Sequence, residues 1–292
     1  MTAMKITREH ASISIVVPAK NEEATIRTLV ERAQATFPEC EVIVVDDGST
    51  DTTGQLAEAA GATVVRHPES LGNGAAVKSG ARIARGDILC FMDADGQHHP
   101  EEFREFIQKL DSGYDMVIGA RDSGSHASIG RLFANGVYNE LASLITGRRI
   151  PDLTSGFRAV KSNLFRQFLY LLPNGFSYPT TITMAFLRSG YPVAFLPITA
   201  SKRTGKSHIR PVRDGVRFLA IIFKVATLYS PLKIFLPVSA TFFLTGLGYY
   251  AYTFFTMGRF TNMSMLIFSA AVIIFLIGLI SEQITALTYS RS

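Results

Sequence analysis

The sequence predicts an α/β domain with a mostly parallel sheet, followed by an interfacial amphipathic helix and two transmembrane helices. Three observations carry this reading. Short β-branched runs alternate with helical segments over the first two-thirds of the 292 residues, the pattern of a parallel sheet covered on both faces. A polar cluster follows each of three strands, where open parallel sheets hold their ligands. Apolar residues make up 47% of the chain but gather after Pro231. The expected division is 1–210 for the soluble domain, 211–230 for a juxtamembrane helix and 231–292 for a helical hairpin.

Ser12–Pro18 (SISIVVP) reads as a buried strand ended by proline. Asn21 is expected to cap a helix running to Thr36, with Glu22 and Glu23 in its first turn. Glu41–Asp46 (EVIVVD) is the next strand, turning at Asp47-Gly48-Ser49-Thr50. A helix at Thr52–Ala60, a strand at Thr63–Arg66 and a helix at Gly72–Ala84 lead to the buried strand Ile88–Met92 (ILCFM). Pro100 suits the first position of a helix over Glu101–Leu110, where its missing N–H costs nothing. Met116–Gly119 adds a strand, Gly130–Gly147 a helix, 152–158 a loop and Val193–Leu196 a last strand.

Ser201–Arg210 is a basic loop rich in small polar residues. Between Pro211 and Ser230, Val216, Leu219, Phe223 and Leu228 alternate at helical spacing with Arg213, Arg217 and Lys224, as in a helix lying in a membrane interface. Leu232–Phe255 and Met263–Leu287 are each long enough to cross roughly 30 Å of hydrocarbon. The short link Met257–Asn262 makes them a hairpin, with Glu282 and Gln283 either facing the other helix or marking the interface. Cations clustered before the hairpin put the large domain on the cytoplasmic side of a membrane. Met1–Ala11 is polar and charged, so attachment is expected from the hairpin alone.

The net charge of +5 points to an anionic partner. Because the basic residues precede the apolar region, and no aromatic-basic stripe accompanies them, a membrane surface fits better than nucleic acid. Two cysteines, Cys40 and Cys90, make no disulfide framework.

Asp93 and Asp95 flank Ala94 directly after a buried strand. Two carboxylates leaving a strand end suit a hard cation that bridges phosphate oxygens and neutralises a departing diphosphate. A D-x-D is weak alone. It gains weight from Ala19-Lys20-Asn21-Glu22 after the first strand and Asp46-Asp47 after the second, which converge on the same rim. A nucleotide-sugar fits that rim, with Pro18, Ala19, Asn21, Glu22, Asp46, Asp47, Asp93 and Ala94 as candidate contacts. His98 and His99 read as solvated loop residues, one of them capping the next helix. Gly72-Asn73-Gly74 lacks the surroundings of a dinucleotide fingerprint or a P-loop, and reads as a tight helix start near the nucleotide.

Together Val16-Val17-Pro18-Ala19-Lys20-Asn21-Glu22-Glu23, Val44-Val45-Asp46-Asp47-Gly48-Ser49 and Met92-Asp93-Ala94-Asp95-Gly96-Gln97 resemble glycosyltransferase family 2. Within it the chain is similar to the polyprenyl-phosphate glycosyltransferases of the dolichyl-phosphate mannose synthase type. The resemblance implies a GT-A nucleotide-binding domain and an inverting enzyme. It also implies nucleoside contacts from Pro18, Glu22 and Asp47, or Asp46 in place of Asp47. Asp93, Asp95 and Gln97 would surround Mg²⁺ or Mn²⁺.

The acceptor follows from chemistry. Transfer to a sugar hydroxyl needs a general base, whereas a phosphate monoester with a second pKa of about 6 is already a dianion near neutrality. No Glu-Asp pair supplies such a base here. Arginines are present instead, and their planar fork suits phosphate oxygens. Arg121, Arg131 and Ser207 are candidates for the acceptor phosphate, and Arg203 with Lys206 for a lid over the diphosphate. Asp95, Asp152 and Arg158 are the catalytic candidates, Asp152 either as a base or as a group that orients an arginine or the acceptor. The expected reaction moves one sugar from a UDP- or GDP-sugar to a polyprenyl phosphate at the cytoplasmic membrane face. A processive polysaccharide synthase is disfavoured by the absence of tryptophan and by only two spans. A silent scaffold is disfavoured by the intact carboxylates and arginines. Thr180, Thr181 and Thr183 stand where related transferases often carry an acid, so the sugar is left open. The apolar hairpin offers a face for pairing with a second copy.

Overall fold

The computed structural model describes residues 11–121, 146–175, 177–198 and 230–290, with single positions at 136, 139–140, 142–143, 223 and 227. Arg131, Arg203, Lys206, Ser207, most of the expected 130–147 helix and the expected 211–230 helix lie outside them.

Strand β1 (Ile13–Ala19) is the hub of a seven-stranded sheet. Its run of β-branched residues has both faces covered, and Ile15, Val16 and Val17 are fully buried. It pairs in parallel with β2 (Glu41–Asp46) from Ser14↔Glu41 to Ala19↔Asp46. On its other side it pairs with β4 (Ile88–Phe91), Ile13 opposite Ile88. β3 (Thr63–Arg66) extends the parallel half beyond β2. Helices α1 (Ile26–Thr36), α2 (Thr53–Ala59) and α3 (Asn73–Ile83) make the crossovers between these strands.

After β4, a 3₁₀ turn at Pro100–Glu102 opens α4 (Phe103–Asp111), with Pro100 at its start as expected. β5 (Met116–Arg121) follows. β6 (Arg158–Lys161), expected to be loop and its approach, is a strand inserted antiparallel between β4 and β5. Its first residue, Arg158, lies opposite Phe91 of β4 and Ile118 of β5. An antiparallel strand begins where its neighbours end, so the 152–157 loop arrives at the same rim as the carboxyl ends of β4 and β5. Helix α5 (Ser162–Gln167) and helix α6 (Tyr178–Arg188) come next, and β7 (Val193–Ile198) closes the edge parallel to β5. The strand order is β3-β2-β1-β4-β6-β5-β7, a mostly parallel mixed sheet.

One expected helix start is corrected. Asn21 does not cap α1, which begins at Ile26 with no acidic residue in its first turn. Asn21 instead takes a left-handed φ of 55°. Its Oδ1 accepts the Thr50 N–H at 2.8 Å, and its own N–H donates to Ser49 Oγ at 3.0 Å. Those bonds hold the chain in a loop against the β2 turn and delay the helix.

The second unit holds α7 (Leu232–Met257) and α8 (Asn262–Ser290). Their apolar segments of 26 residues each span about 39 Å at 1.5 Å per residue, enough to cross a membrane. Gly258 ends α7 in the left-handed region, its N–H bonded to Phe254 O at 2.9 Å. Thr261 opens α8 by accepting the Ser264 N–H at 3.3 Å. Small residues line the seam: Ser239 donates to Ala271 O at 2.8 Å, and Gly278 packs against Phe235. Glu282 faces the other helix, where its Oε2 accepts the Leu232 N–H at 3.2 Å. Large side chains such as Leu244, Phe255 and Leu266 face outward.

Candidate active site

The carboxyl ends of β1, β2 and β4 are tied together before any ligand is considered. Asp47 donates its N–H to Ala19 O at 2.9 Å, and Glu22 donates its N–H to Thr53 Oγ1 at 2.8 Å. Thr25 reaches from the β1 loop to Ala94 O at 2.6 Å. Pro18, Ala19 and Ala94 are buried, Glu22 half-buried and Asn21 exposed. These bonds bring the three expected clusters onto one rim.

Asp46 and Asp47 divide their work. Asp46 turns the chain by accepting the Ser49 N–H at 2.9 Å. Asp47 receives four donors: His67 Nδ1 at 2.7 Å, Ser70 Oγ at 2.8 Å, and the Leu71 and Gly72 N–H groups at 2.9 Å each. Burial alone would raise its pKa, but these bonds together hold it below the ordinary carboxylate range. Gly48 makes the clasp fit. Its φ is +68°, and a Cβ there would lie 2.7 Å from the Glu69 carbonyl carbon.

Asp93 and Asp95 follow β4, both half-buried. Asn73, the first residue of α3, donates Nδ2 to Asp93 Oδ1 at 3.4 Å. The Gln97 N–H donates to Asp95 Oδ1 at 3.2 Å. Among the described residues no three His, Cys, Asp or Glu side chains form a metal-holding group. The groups that could hold a cation here are two carboxylates, with the Gln97 amide two residues on. That oxygen-only donor set fits a hard divalent cation whose remaining ligands are diphosphate and water.

Of the two histidines beyond the pair, His98 is not solvated as expected. His98 is 8% exposed and stacks on Phe157 at 4.6 Å, and Phe157 in turn stacks on Phe103 at 4.4 Å. Burial first, with Asp95, Arg121, His99 and Asp152 as further influences, brings its pKa to about 4, so it is neutral. The aromatic wall beside the rim accounts for its burial. His99 is half-buried and shares a hydrogen bond with Arg32 Nη1 at 3.0 Å. His99 takes the N-cap position of the Pro100–Glu102 turn, as expected of one of the two, without a side-chain cap bond.

Across the rim, Arg121 ends β5 and meets Asp152 from the loop before β6. Its Nε lies 2.8 Å from Oδ2 and its Nη2 3.2 Å from Oδ1, with Nη2 also 2.7 Å from Thr154 Oγ1. The fork is bidentate and the arginine about one-third exposed, at 34%. Burial would raise the Asp152 pKa, yet Arg121 and Thr154 outweigh it and hold the carboxyl low. Burial also opposes the charge on Arg121, but Asp152, Asp93 and Asp95 outweigh that and raise its pKa. Asp152 is thus paired with an arginine through both carboxylate oxygens.

Arg158 is corrected as a contact residue. It is 0% exposed because it points from β6 between the sheet and α6, where its guanidinium donates to Thr183 Oγ1 and Pro179 O at 3.2 Å each. A group with no surface touches no substrate. The sequence reading missed His67, Asn73, Thr154 and Tyr178. Asn73 was legible as part of the Gly72–Gly74 helix start, and Thr154 from its place in the 152–158 loop. His67 and Tyr178 had no local signal.

A mostly parallel mixed sheet with acidic and basic groups gathered at its carboxyl rim, a D-x-D turn among them, is the architecture of the GT-A-like fold. The chain belongs to glycosyl transferase family 2, whose profile matches residues 14–169. A second profile, the GtrB C-terminal hairpin, matches residues 230–287 and supports membrane association. Polyprenol monophosphomannose synthase of Mycolicibacterium smegmatis is 29% identical over 228 residues, 73% of this chain and 84% of the relative. Dolichyl-phosphate hexose transferase of Haloferax volcanii is 29% identical over 216 residues, 73% of this chain and 93% of the relative. Among solved structures, glucosyl-3-phosphoglycerate synthase of Mycobacterium tuberculosis with Mn²⁺, UDP-glucose and glycerol 3-phosphate superposes with a TM-score of 0.59. It is 25% identical, covering 74% of this chain and 80% of that one. The protein is a glycosyltransferase.

Proposed function

We propose that the chain moves a single sugar from a UDP- or GDP-sugar to a polyprenyl phosphate, with inversion, at the cytoplasmic face of a membrane. The observation that carries the choice of acceptor is the bidentate Arg121–Asp152 pair. An aspartate held by an arginine, with its pKa lowered, is a poor general base. A hydroxyl acceptor would need that base, while a phosphate dianion needs a cation to seat it. Arg121, on the same rim as Asp93 and Asp95, is such a cation. The names of the two relatives, which act on polyprenol and dolichyl phosphates, support the same acceptor.

On this reading Pro18, Ala19, Asn21, Glu22, Asp46, Asp47 and Ala94 form the nucleotide side of the rim. Asp93, Asp95 and Gln97 would hold Mg²⁺ or Mn²⁺, which when bound neutralises charge on the diphosphate. Mn²⁺ with UDP-glucose in the glucosyl-3-phosphoglycerate synthase complex supports that pairing. Arg121 orients a phosphate oxygen for in-line attack, and Asp152 with Thr154 fixes the direction of its fork. Arg131 and Ser207 are assigned to the acceptor phosphate, and Arg203 and Lys206 to closing over the diphosphate. Residues 1–210 form the catalytic domain, 211–230 the interfacial helix and 231–292 the membrane anchor.

The test is transfer by the purified full chain in detergent, with Mg²⁺ or Mn²⁺ and a short polyprenyl phosphate. The donor panel is UDP-Glc, UDP-GlcNAc, UDP-Gal and GDP-Man. One donor should yield a lipid-linked sugar. No product from any of them would overturn the reading.

A further inference from the structure

Arg158 is fully buried, and all its described partners are neutral. Its guanidinium meets Ser155 O, Pro179 O, Thr183 Oγ1 and, at 3.8 Å, Met116 Sδ. Among the described residues its Nε has no partner. Burial lowers its pKa, to about 10, so the group is charged at neutral pH. Holding a buried cation without a carboxylate in contact is unfavourable, and an apolar side chain of similar volume would pack there at less cost. Fold stability alone does not explain the charge.

The carboxylates that act on it do so at longer range, and they belong to the rim: Asp152 and Asp93. Tyr178 lies between. Its ring centre is 5.8 Å from the guanidinium carbon. A Cβ built on Gly156 would stand 3.3 Å from the Tyr178 hydroxyl and 3.5 Å from Asp93 Oδ2. The glycine thus lets the 152–158 loop come close to both the Tyr178 hydroxyl and Asp93. The facing helix leaves the charge uncompensated, because Thr183 offers it a hydroxyl where an acid would cancel it.

We propose that Arg158 is a positioning residue that works through its charge, attracting the anionic diphosphate to the Asp93–Asp95 rim from beneath without touching it. This rests on reading the rim as a nucleoside-diphosphate site. Inside the protein the attraction is weakly screened, so a fixed cation below the surface still acts on an anion above it. Its effect on a bare metal ion has the opposite sign, and that difference separates a charge effect from simple packing.

Two variants of the full chain in detergent decide it. Arg158→Lys keeps the charge, and Arg158→Gln keeps an N–H donor for Ser155 O without the charge. Binding of UDP and GDP with Mn²⁺ is measured by calorimetry, and Mn²⁺ alone by electron paramagnetic resonance. Arg158→Gln should bind the better nucleotide about tenfold more weakly and Arg158→Lys within about twofold of wild type, with Mn²⁺ alone held no less tightly in either. Thr183→Asp, which pairs the cation where it stands, should reproduce the loss. It carries the test if Arg158→Gln does not fold. If the Lys and Gln variants behave alike, or if Mn²⁺ affinity falls in parallel with nucleotide affinity, the arginine only shapes the 152–158 loop and the proposal is overturned. A wild-type chain that binds Mn²⁺ and nucleotide yet transfers no sugar would defeat the proposed reaction, while the Lys–Gln contrast would still decide this inference.

Discussion

On the β2 side of the rim, Asp47 gathers four donors from one loop and is almost wholly buried, at 5% exposure. On the β5 side, Asp152 meets the fork of Arg121, an arginine that still shows a third of its side chain to solvent. Both are aspartates in loops at the rim of the sheet, and both have lowered pKa values. The first spends its charge holding backbone in place. The second spends it aiming a cation that remains reachable. On the proposed reading, a closed nucleotide side and a reachable phosphate side suit a transferase whose donor is small and whose acceptor carries a long chain.

The comparison breaks first at the carboxylates between the two sides. Asp93→Ala or Asp95→Ala should lower sugar transfer by about 10³-fold or more while leaving the melting temperature nearly unchanged, read from initial rates and a thermal scan. Retained activity would mean that the rim between the two halves is not the reaction centre. Next come the partners of the phosphate side. Arg121→Ala should cost about 10²-fold in kcat/KM for the polyprenyl phosphate, mostly through acceptor KM. Asp152→Asn should cost only about tenfold, because an amide still aims the fork. A loss of three orders of magnitude for Asp152→Asn, with the acid limb of the pH–rate profile gone, would make it a base after all.

The parallel half of the sheet was legible because its strands are unbroken apolar runs that each end in a polar cluster. Ile13–Ala19, Glu41–Asp46 and Ile88–Phe91 all lie within a residue or so of their expected bounds. The inserted strand was not legible. Arg158–Lys161 has two apolar residues between two cations, and only its pairing with β4 and β5 makes it a strand. Helix α6 escaped for a related reason: ten of its eleven residues are buried, so no polar face marks the helical period. The three candidate clusters were read correctly as neighbours, since strand order alone brings them together. The inward turn of Arg158 and the burial of His98 depend on what packs above them, which one sequence does not state.

A smaller effect sharpens the nucleotide side. Asp47→Asn keeps the shape but weakens bonds to two backbone N–H groups, Ser70 and His67, and should destabilise the domain by about 2 kcal/mol. For a domain of this size that is a fall in melting temperature of about 6 °C. The donor KM should rise less than it does for Asp93→Ala. An unchanged melting temperature would show that the loop at 67–72 holds without its clasp.

The smallest expected effect is the contribution of the Arg121–Asp152 pair to folding, and its pH dependence has a definite sign. Because the folded-state pKa of Asp152 is lowered, its contribution is complete above the ordinary aspartate value of about 3.9 and fades as the pH falls below it. Partial exposure of Arg121 screens the pair, so its worth is roughly 1 kcal/mol or less. Wild type and Asp152→Asn should therefore differ slightly in melting temperature at pH 7, less at high salt, and converge below about pH 4. Asp47→Asn should converge with wild type in the same pH window but show little response to salt, since its partners are mainly backbone and hydroxyl groups. If salt moved both variants equally, the contrast between a buried clasp and a reachable pair would fail. If the Asp152→Asn difference widened on acidification, the unfolded chain would hold the more acidic carboxyl, and Arg121 would not be what keeps Asp152 ionised.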